Sequence, residues 1–167
     1  SVGARLALLS RSAKPDASLT AEIEAKGGKV IYVAADVTDA AAVDAAIAQV
    51  RVSFGEINGV VHGAGTLNDA PLSAKTLAEA AAVMASKVTG GANLSRALPP
   101  GTLDFFAVIS SSSVVLGGAG QSDYVCANAM LESLAASRPD GLSVAWGVWR
   151  DAGMAARAYG AGERREA

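Results

Sequence analysis

The sequence predicts an α/β fold built on a parallel sheet. Two observations carry this: short apolar runs alternate with stretches of helical periodicity along all 167 residues, and the composition is rich in Ala and Gly but only 5% aromatic. The alternation implies parallel strands joined by right-handed helical crossovers. Small side chains suit helices packed closely on a sheet.

The elements follow in order. ARLALLS near the start reads as a buried strand, and Thr20 to Lys26 as a short helix stopped by Gly27 and Gly28. KVIYVAAD is the next strand. Thr38 or Asp39 caps a helix whose apolar stripe is Val43, Ile47, Val50 and Phe54. INGVVHGAG is a strand ending in a glycine loop. Thr76 and Glu79 form a capping-box pair before an alanine-rich helix. A second helical stretch carries Lys87 towards Leu98 and closes at Pro99 and Pro100. TLDFFAVIS is a strand, a helix around Tyr124 follows, and LSVAWGV is the last strand. Residues 105 to 122 hold no charge, but Ser and Gly crowd their second half, so a strand and loop are expected rather than a membrane span. From Arg150 the chain turns charged and Ala-rich, and the tail is expected to be mobile.

Composition excludes several classes of function. At 167 residues and 51% hydrophobic, the chain supports one domain with a sizeable core and is not disordered. A net charge of −2 gives no footprint for nucleic acid or an anionic membrane. The single cysteine, Cys126, cannot form an internal disulfide, so a reducing, cytoplasmic setting is expected. One His and one Cys make a zinc site improbable, and no metal is expected. The chain lacks an initial methionine and a secretory pattern.

Lys87, Ser111, Tyr124 and Asn128 carry the chemistry. Tyr124 and Asn128 stand four apart in GQSDYVCANAMLESLAAS and share a helix face, while Ser111 lies thirteen residues upstream of Tyr124 in the run SSSS. Reducing a carbonyl requires a proton donor near the developing alkoxide and a second donor to hold that oxygen. It also needs a cation, because tyrosine with a pKa of about 10 is a poor acid at neutral pH. His62, the only histidine, reads as a strand-end residue satisfied by hydrogen bonds. Cys126 points roughly 200° from Tyr124 at 100° per residue and reads as small core filler. Ser110, Ser112 and Ser113 read as turn and strand-end residues.

These residues, with LALLSRS, AADVTD, VVHGAGTLNDAPL, ASKVTGGANL and VAWGVWRDAGMA, resemble the ketoreductase domain of type I polyketide synthases, a branch of the short-chain dehydrogenase/reductase superfamily. Most free-standing members carry Tyr-x-x-x-Lys. Asn128 after Tyr124, with Lys87 upstream, is the synthase pattern. The resemblance implies a Rossmann-like, doubly wound sheet. It also implies that residues 1–167 are a single reductase fragment, running from the second strand through the lid region and truncated at both ends. No G-x-G-x-x-G occurs; GAG at 63 to 65 and GGAG at 117 to 120 lack the third glycine. The fragment alone is therefore expected to bind NADPH poorly and to be inactive.

Further expectations come from the same resemblance. Ser10 and Arg11 end the first strand with no acid until Asp16; a solvated arginine is the plain reading of the residues alone, and the resemblance turns it into a contact for the 2′-phosphate of NADPH. Asp36 and Val37 would border the adenine, and Gly63, Ala64 and Gly65 would line the nucleotide path. The substrate would be a β-ketoacyl thioester on an acyl carrier protein, with other synthase domains in the same polypeptide. Tyr124 would give the proton, Ser111 would hold the oxygen, Lys87 would lower the tyrosine pKa, and Asn128 would fix the lysine or a relay water. Leu67-Asn68-Asp69 stands where the family carries Leu-Asp-Asp, and Leu116 where the opposite stereochemical group carries Trp, so a D-configured alcohol is expected. Two alternatives stand beside this: a non-catalytic structural reductase subdomain, and a free-standing dehydrogenase acting on a small alcohol.

Overall fold

The computed structural model describes residues 3–149; the charged tail and the lid region expected from residue 150 onward lie outside them. Five strands and six α-helices follow one another as β1 (Arg5–Ser10), α1 (Ala17–Ala25), β2 (Lys29–Ala34), α2 (Ala40–Phe54), β3 (Gly59–His62), α3 (Leu77–Met84), a π-helical turn (Ala85–Thr89), α4 (Gly90–Ala97), β4 (Phe105–Ser111), α5 (Ser113–Leu116), α6 (Ser122–Ala136) and β5 (Gly141–Trp146). Among the described residues every strand pairing is parallel. β1 pairs with β2, and β3, β4 and β5 form a second sheet in that order. The fold is the expected Rossmann-like α/β arrangement, with its strands divided between two hydrogen-bonded sheets.

Local chemistry sets the helix starts. Asp16 accepts from the Leu19 amide at 3.0 Å, so α1 begins at Ala17, three residues before the expected Thr20. Asp39, not Thr38, caps α2, accepting from the Ala41 and Ala42 amides at 2.9 and 3.2 Å. The capping box is present: the Glu79 amide donates to Thr76 Oγ1 at 3.2 Å, and the Thr76 amide donates to Glu79 Oε2 at 2.8 Å. The short α5 interrupts the loop expected after the fourth strand.

Helix α2 joins the two sheets. Its Ala46 and Val50 pack with Val33 and Ala35 beside β1 and β2. Its Val43 and Ile47 join Leu94, Phe106, Val108 and Leu131, the core between the helices and the second sheet. Three of the four expected stripe residues, Val43, Ile47 and Val50, are buried, and Phe54 at the helix end is half-buried. A buried Arg138 fastens the far end of this core. It donates to Ser95 Oγ at 2.7 Å and the Leu98 carbonyl at 3.0 Å, pairs with Asp140 at 2.9 Å, and stacks 4.2 Å from the Phe106 ring centre. Orphan carbonyls at the end of α4 thus find donors.

One helical path, rather than two separate stretches, carries Lys87. Between α3 and α4 the backbone widens into the π turn, and the Gly90 amide reaches back to the Ala85 carbonyl. Such single-turn widenings change the direction of the side chains they carry. Gly90 and Gly91 follow because nothing larger fits: a Cβ on Gly90 would lie 2.7 Å from Val37 Cγ2, and one on Gly91 2.8 Å from Leu131 Cδ1.

Cys126 corrects an expectation. It does turn away from Tyr124, but it is exposed rather than core filler. The buried stripe of α6 is Tyr124's own face: Asp123, Tyr124, Ala127, Asn128, Leu131 and Ala135. A residue roughly 200° from that stripe faces outward. Among the described residues, no helix is long and apolar enough to cross a membrane, and no cluster of three His, Cys, Asp or Glu could hold a metal.

Candidate active site

Parallel strands deliver their carboxyl ends to one side of a sheet, and the site residues sit there. Ser10 closes β1, Asp36 and Val37 follow β2, Gly63 to Gly65 follow β3, and Ser111 closes β4. A cavity of about 430 Å³ is lined by Ser10, Arg11, Asp36, Val37, Ala64 and Gly65, six of the seven residues expected to meet a dinucleotide. Gly63 is not in its lining. Thr38, Thr66 and Ser86 complete the polar wall. The amide and hydroxyl of Thr38 donate to Asp36 Oδ1 at 2.9 and 2.8 Å. Those bonds, with a smaller pull from Arg11, hold the Asp36 carboxyl below the usual carboxylate range.

Lys87 is a buried cation. It is 2% exposed, and its ammonium donates to the Ile109 carbonyl at 2.9 Å. Among the described residues it has no carboxylate partner. Its Nζ lies 5.6 Å from the Tyr124 ring centre. Burial alone lowers its pKa from 10.5 to about 8, so most of the side chain stays charged at neutral pH. Gly65 permits the approach, since a Cβ there would lie 3.1 Å from Lys87 Cε. Buried His62 holds the backbone: its Nε2 bonds the Lys87 carbonyl at 3.0 Å, and burial pushes the ring's pKa down. The neutral ring then donates to that carbonyl. The expected hydrogen-bonded role of His62 is what the structure contains.

Of the remaining expected residues, Tyr124 faces Lys87 and Asn128 bonds the Tyr124 backbone. Tyr124 is 9% exposed. Asn128, one helical turn on, is fully buried; its Nδ2 donates to the Tyr124 carbonyl at 2.8 Å, and its Oδ1 has no partner. Ser111 Oγ accepts from the Ser113 amide at 3.2 Å, which leaves its own proton free to donate. Ser110 is buried instead and bonds Glu132 on α6. Asp69 accepts from Gln121 Nε2 at 2.8 Å, Leu67 is half-buried beside it, and Leu116 stands 81% exposed on α5.

Three contacts escaped the sequence. Thr38 two residues after Asp36 is a side-chain turn that the spacing could have signalled. The Gln121–Asp69 and Lys75–Asp123 contacts join positions 52 and 48 residues apart, and no local pattern announces them.

Known proteins match this arrangement. The family described as KR domain matches residues 1–151. The chain is 39% identical over 141 residues to a type I polyketide synthase of phenolphthiocerol synthesis from Mycobacterium tuberculosis whose description includes the word inactive, covering 82% of this chain and 9% of that protein. It is 39% identical over 165 residues to the polyketide synthase GfsB of Streptomyces halstedii, covering 95% of this chain and 3% of the relative. The ketoreductase from the first module of phoslactomycin biosynthesis in Streptomyces sp. HK803 superposes with a TM-score of 0.77 at 41% identity, covering 87% of this chain and 35% of that one. The chain thus spans less than a tenth of the curated relatives' length.

The Lys87 shift has a sign that unfolding can measure. Because its folded pKa of about 8 lies below 10.5, the unfolded chain binds more protons between those values. The desolvation cost is therefore fully present below pH 8, and stability from this group rises as pH climbs to 10.5. Lys87→Met should accordingly be more stable than the parent at pH 7, by about 3 kcal/mol at most. That advantage should shrink towards pH 10.5. Urea unfolding of both proteins at the two pH values measures it, and a constant difference contradicts it.

Proposed function

The chain belongs to the KR domain family, the ketoreductases of polyketide synthases within the short-chain dehydrogenase/reductase superfamily, and from that premise we propose that it reduces a β-ketoacyl thioester on an acyl carrier protein with NADPH. The observation that carries this reading is the buried Lys87 ammonium set 5.6 Å from the Tyr124 ring with no carboxylate among the described residues to neutralise it. A structural lysine would be paired; an unpaired one beside a phenol serves proton chemistry.

Tyr124 gives its proton to the oxygen of the reacting ketone as negative charge develops there. The Lys87 ammonium, 5.6 Å from the ring centre, lies near the negative charge that Tyr124 takes on as the proton leaves. Ser111, whose hydroxyl proton is uncommitted, donates to the same oxygen. The partnerless Asn128 Oδ1 is suited to accept from Lys87 or from a water that returns a proton to Tyr124. NADPH, when bound, supplies the hydride. The cavity fits such a group: Arg11 offers a guanidinium suited to the 2′-phosphate, and Asp36 and Val37 would border the adenine. The carrier-borne substrate, and the neighbouring synthase domains in one polypeptide, agree with the length of the relatives.

In the intact reductase domain, Tyr124→Phe should reduce turnover of a β-ketoacyl thioester at least about a hundredfold, the low end for acid catalysis, while nucleotide binding survives. Near-parental turnover would remove Tyr124 from this role.

Arg11→Asp should swing preference towards NADH, because a charge-assisted contact is worth roughly 1.5–3 kcal/mol, or about 10- to 100-fold. Titrating both nucleotides against both proteins measures the ratio, and an unchanged ratio makes Arg11 a bystander.

The product should be the D-configured alcohol, since Leu67 and Asp69 keep two of the three residues of the corresponding family motif and Leu116 replaces the Trp of the opposite group. Chiral chromatography of the hydroxyacyl product decides this; a predominantly L-configured alcohol overturns it.

A further inference from the structure

Lys75 and Asp123 form an ion pair that the chemistry above does not use. Their side chains are only 2% and 4% exposed, and Nζ meets Oδ2 at 2.7 Å. Each partner also holds a backbone group. Lys75 Nζ donates to the Asn68 carbonyl at 2.7 Å, and Asp123 Oδ1 accepts from the Tyr124 amide at 2.9 Å. Two buried side chains therefore link the main chain at Asn68 directly to the main chain at Tyr124. The two ends lie on different elements: one on the loop between β3 and α3, the other at the first turn of α6.

Burial of an ion pair is weak evidence for stabilisation, since an apolar pair of the same shape commonly does as well. What such a pair supplies is a fixed position. Two outer contacts keep the same alignment: Gln121 Nε2 donates to Asp69 Oδ2 at 2.8 Å, and the Ala70 amide donates to the Gly120 carbonyl at 3.1 Å. Gly120, at φ +76°, lets the two backbones meet, for a Cβ there would lie 3.1 Å from the Ala70 nitrogen. Of these links, only the Lys75–Asp123 pair is both charged and shielded from water. Shielding leaves its electrostatic attraction the least screened.

Resting on the reductase reading given above, we propose that Lys75, through Asp123, is a positioning residue that sets the gap between residues 67–69 and Tyr124, and so selects which face of the ketone is reduced. Neither side chain need touch the substrate. Loss of the pair leaves Tyr124 and Lys87 in place but frees the loop, so substrate orientation suffers before the proton transfer does.

The test uses the complete reductase with three variants: Lys75→Met, Asp123→Asn, and the apolar double variant Lys75→Met with Asp123→Leu, which keeps the buried volume filled. Hydrogen exchange at residues 68–70 reports the loop independently of activity, and the ratio of product enantiomers, KM and kcat report the site. Lys75→Met and the double variant should speed exchange and lower the enantiomeric ratio by about tenfold or more, the weight of a charged hydrogen bond, with KM rising more than kcat falls and NADPH affinity unchanged. Asp123→Asn, whose single amide oxygen cannot accept from both Lys75 Nζ and the Tyr124 amide, should lose part of the ratio. A folded double variant with parental exchange and parental enantiomeric ratio overturns the proposal. A parent protein that shows no reduction overturns the reductase reading instead, while its exchange data still report whether the pair holds the loop.

Discussion

A positive charge with no carboxylate beside it among the described residues is the constraint around which this site is organised. Lys87 is buried to 2% exposure and rests on a single carbonyl, that of Ile109. Desolvation works against its charged form and brings its pKa to about 8. Several unusual features meet at that side chain. The π turn changes the helical register where Lys87 leaves the backbone, His62 fixes the turn by its Lys87 carbonyl, and Gly65 gives the stem room to pass. Two glycines then let α4 settle onto Val37 and Leu131. Each feature alone is a local irregularity; together they hold a cation near a phenol.

The second constraint is directional. Among the described residues every strand pairing is parallel, and one cavity gathers the carboxyl ends of β1, β2 and β3. A hydroxyl-and-guanidinium pair, a carboxylate bound by its own turn and a glycine loop reach the same cavity from three different stretches of sequence. Helix α2 makes this possible by packing against both sheets at once, with adjacent residues Ala46 and Ile47 in different cores. The polar residues are supported from behind by apolar packing. Leu131 and Ala135 seat α6 in the core and so fix Tyr124 and Asn128 on its inner face.

Where charges are fully paired, they hold main chain. Arg138 gathers the end of α4 with Asp140, and Lys75 with Asp123 joins a loop to the first turn of α6. Lys87, bonded among the described residues to a carbonyl alone, lies beside the Tyr124 ring. Paired charges here fix main-chain geometry, whereas the Lys87 ammonium faces the Tyr124 ring.

The sequence by itself determined the strand and helix order, the parallel sheet, the capping box at Thr76 and Glu79, the hydrogen-bonded role of His62 and the shared face of Tyr124 and Asn128. These rest on short-range periodicity and capping, which a local run of residues encodes. Spacing and chemistry picked out Lys87, Ser111, Tyr124 and Asn128, and family resemblance added the cavity residues from Ser10 to Gly65. Tertiary structure alone decided the rest. It divided the strands into two sheets bridged by α2, ran the Lys87 helix through a π turn, and put Cys126 outside because the core lies on Tyr124's side of α6. It also joined Lys75 to Asp123 across 48 residues. Such contacts depend on how elements stack in space, and periodicity along the chain carries no record of that.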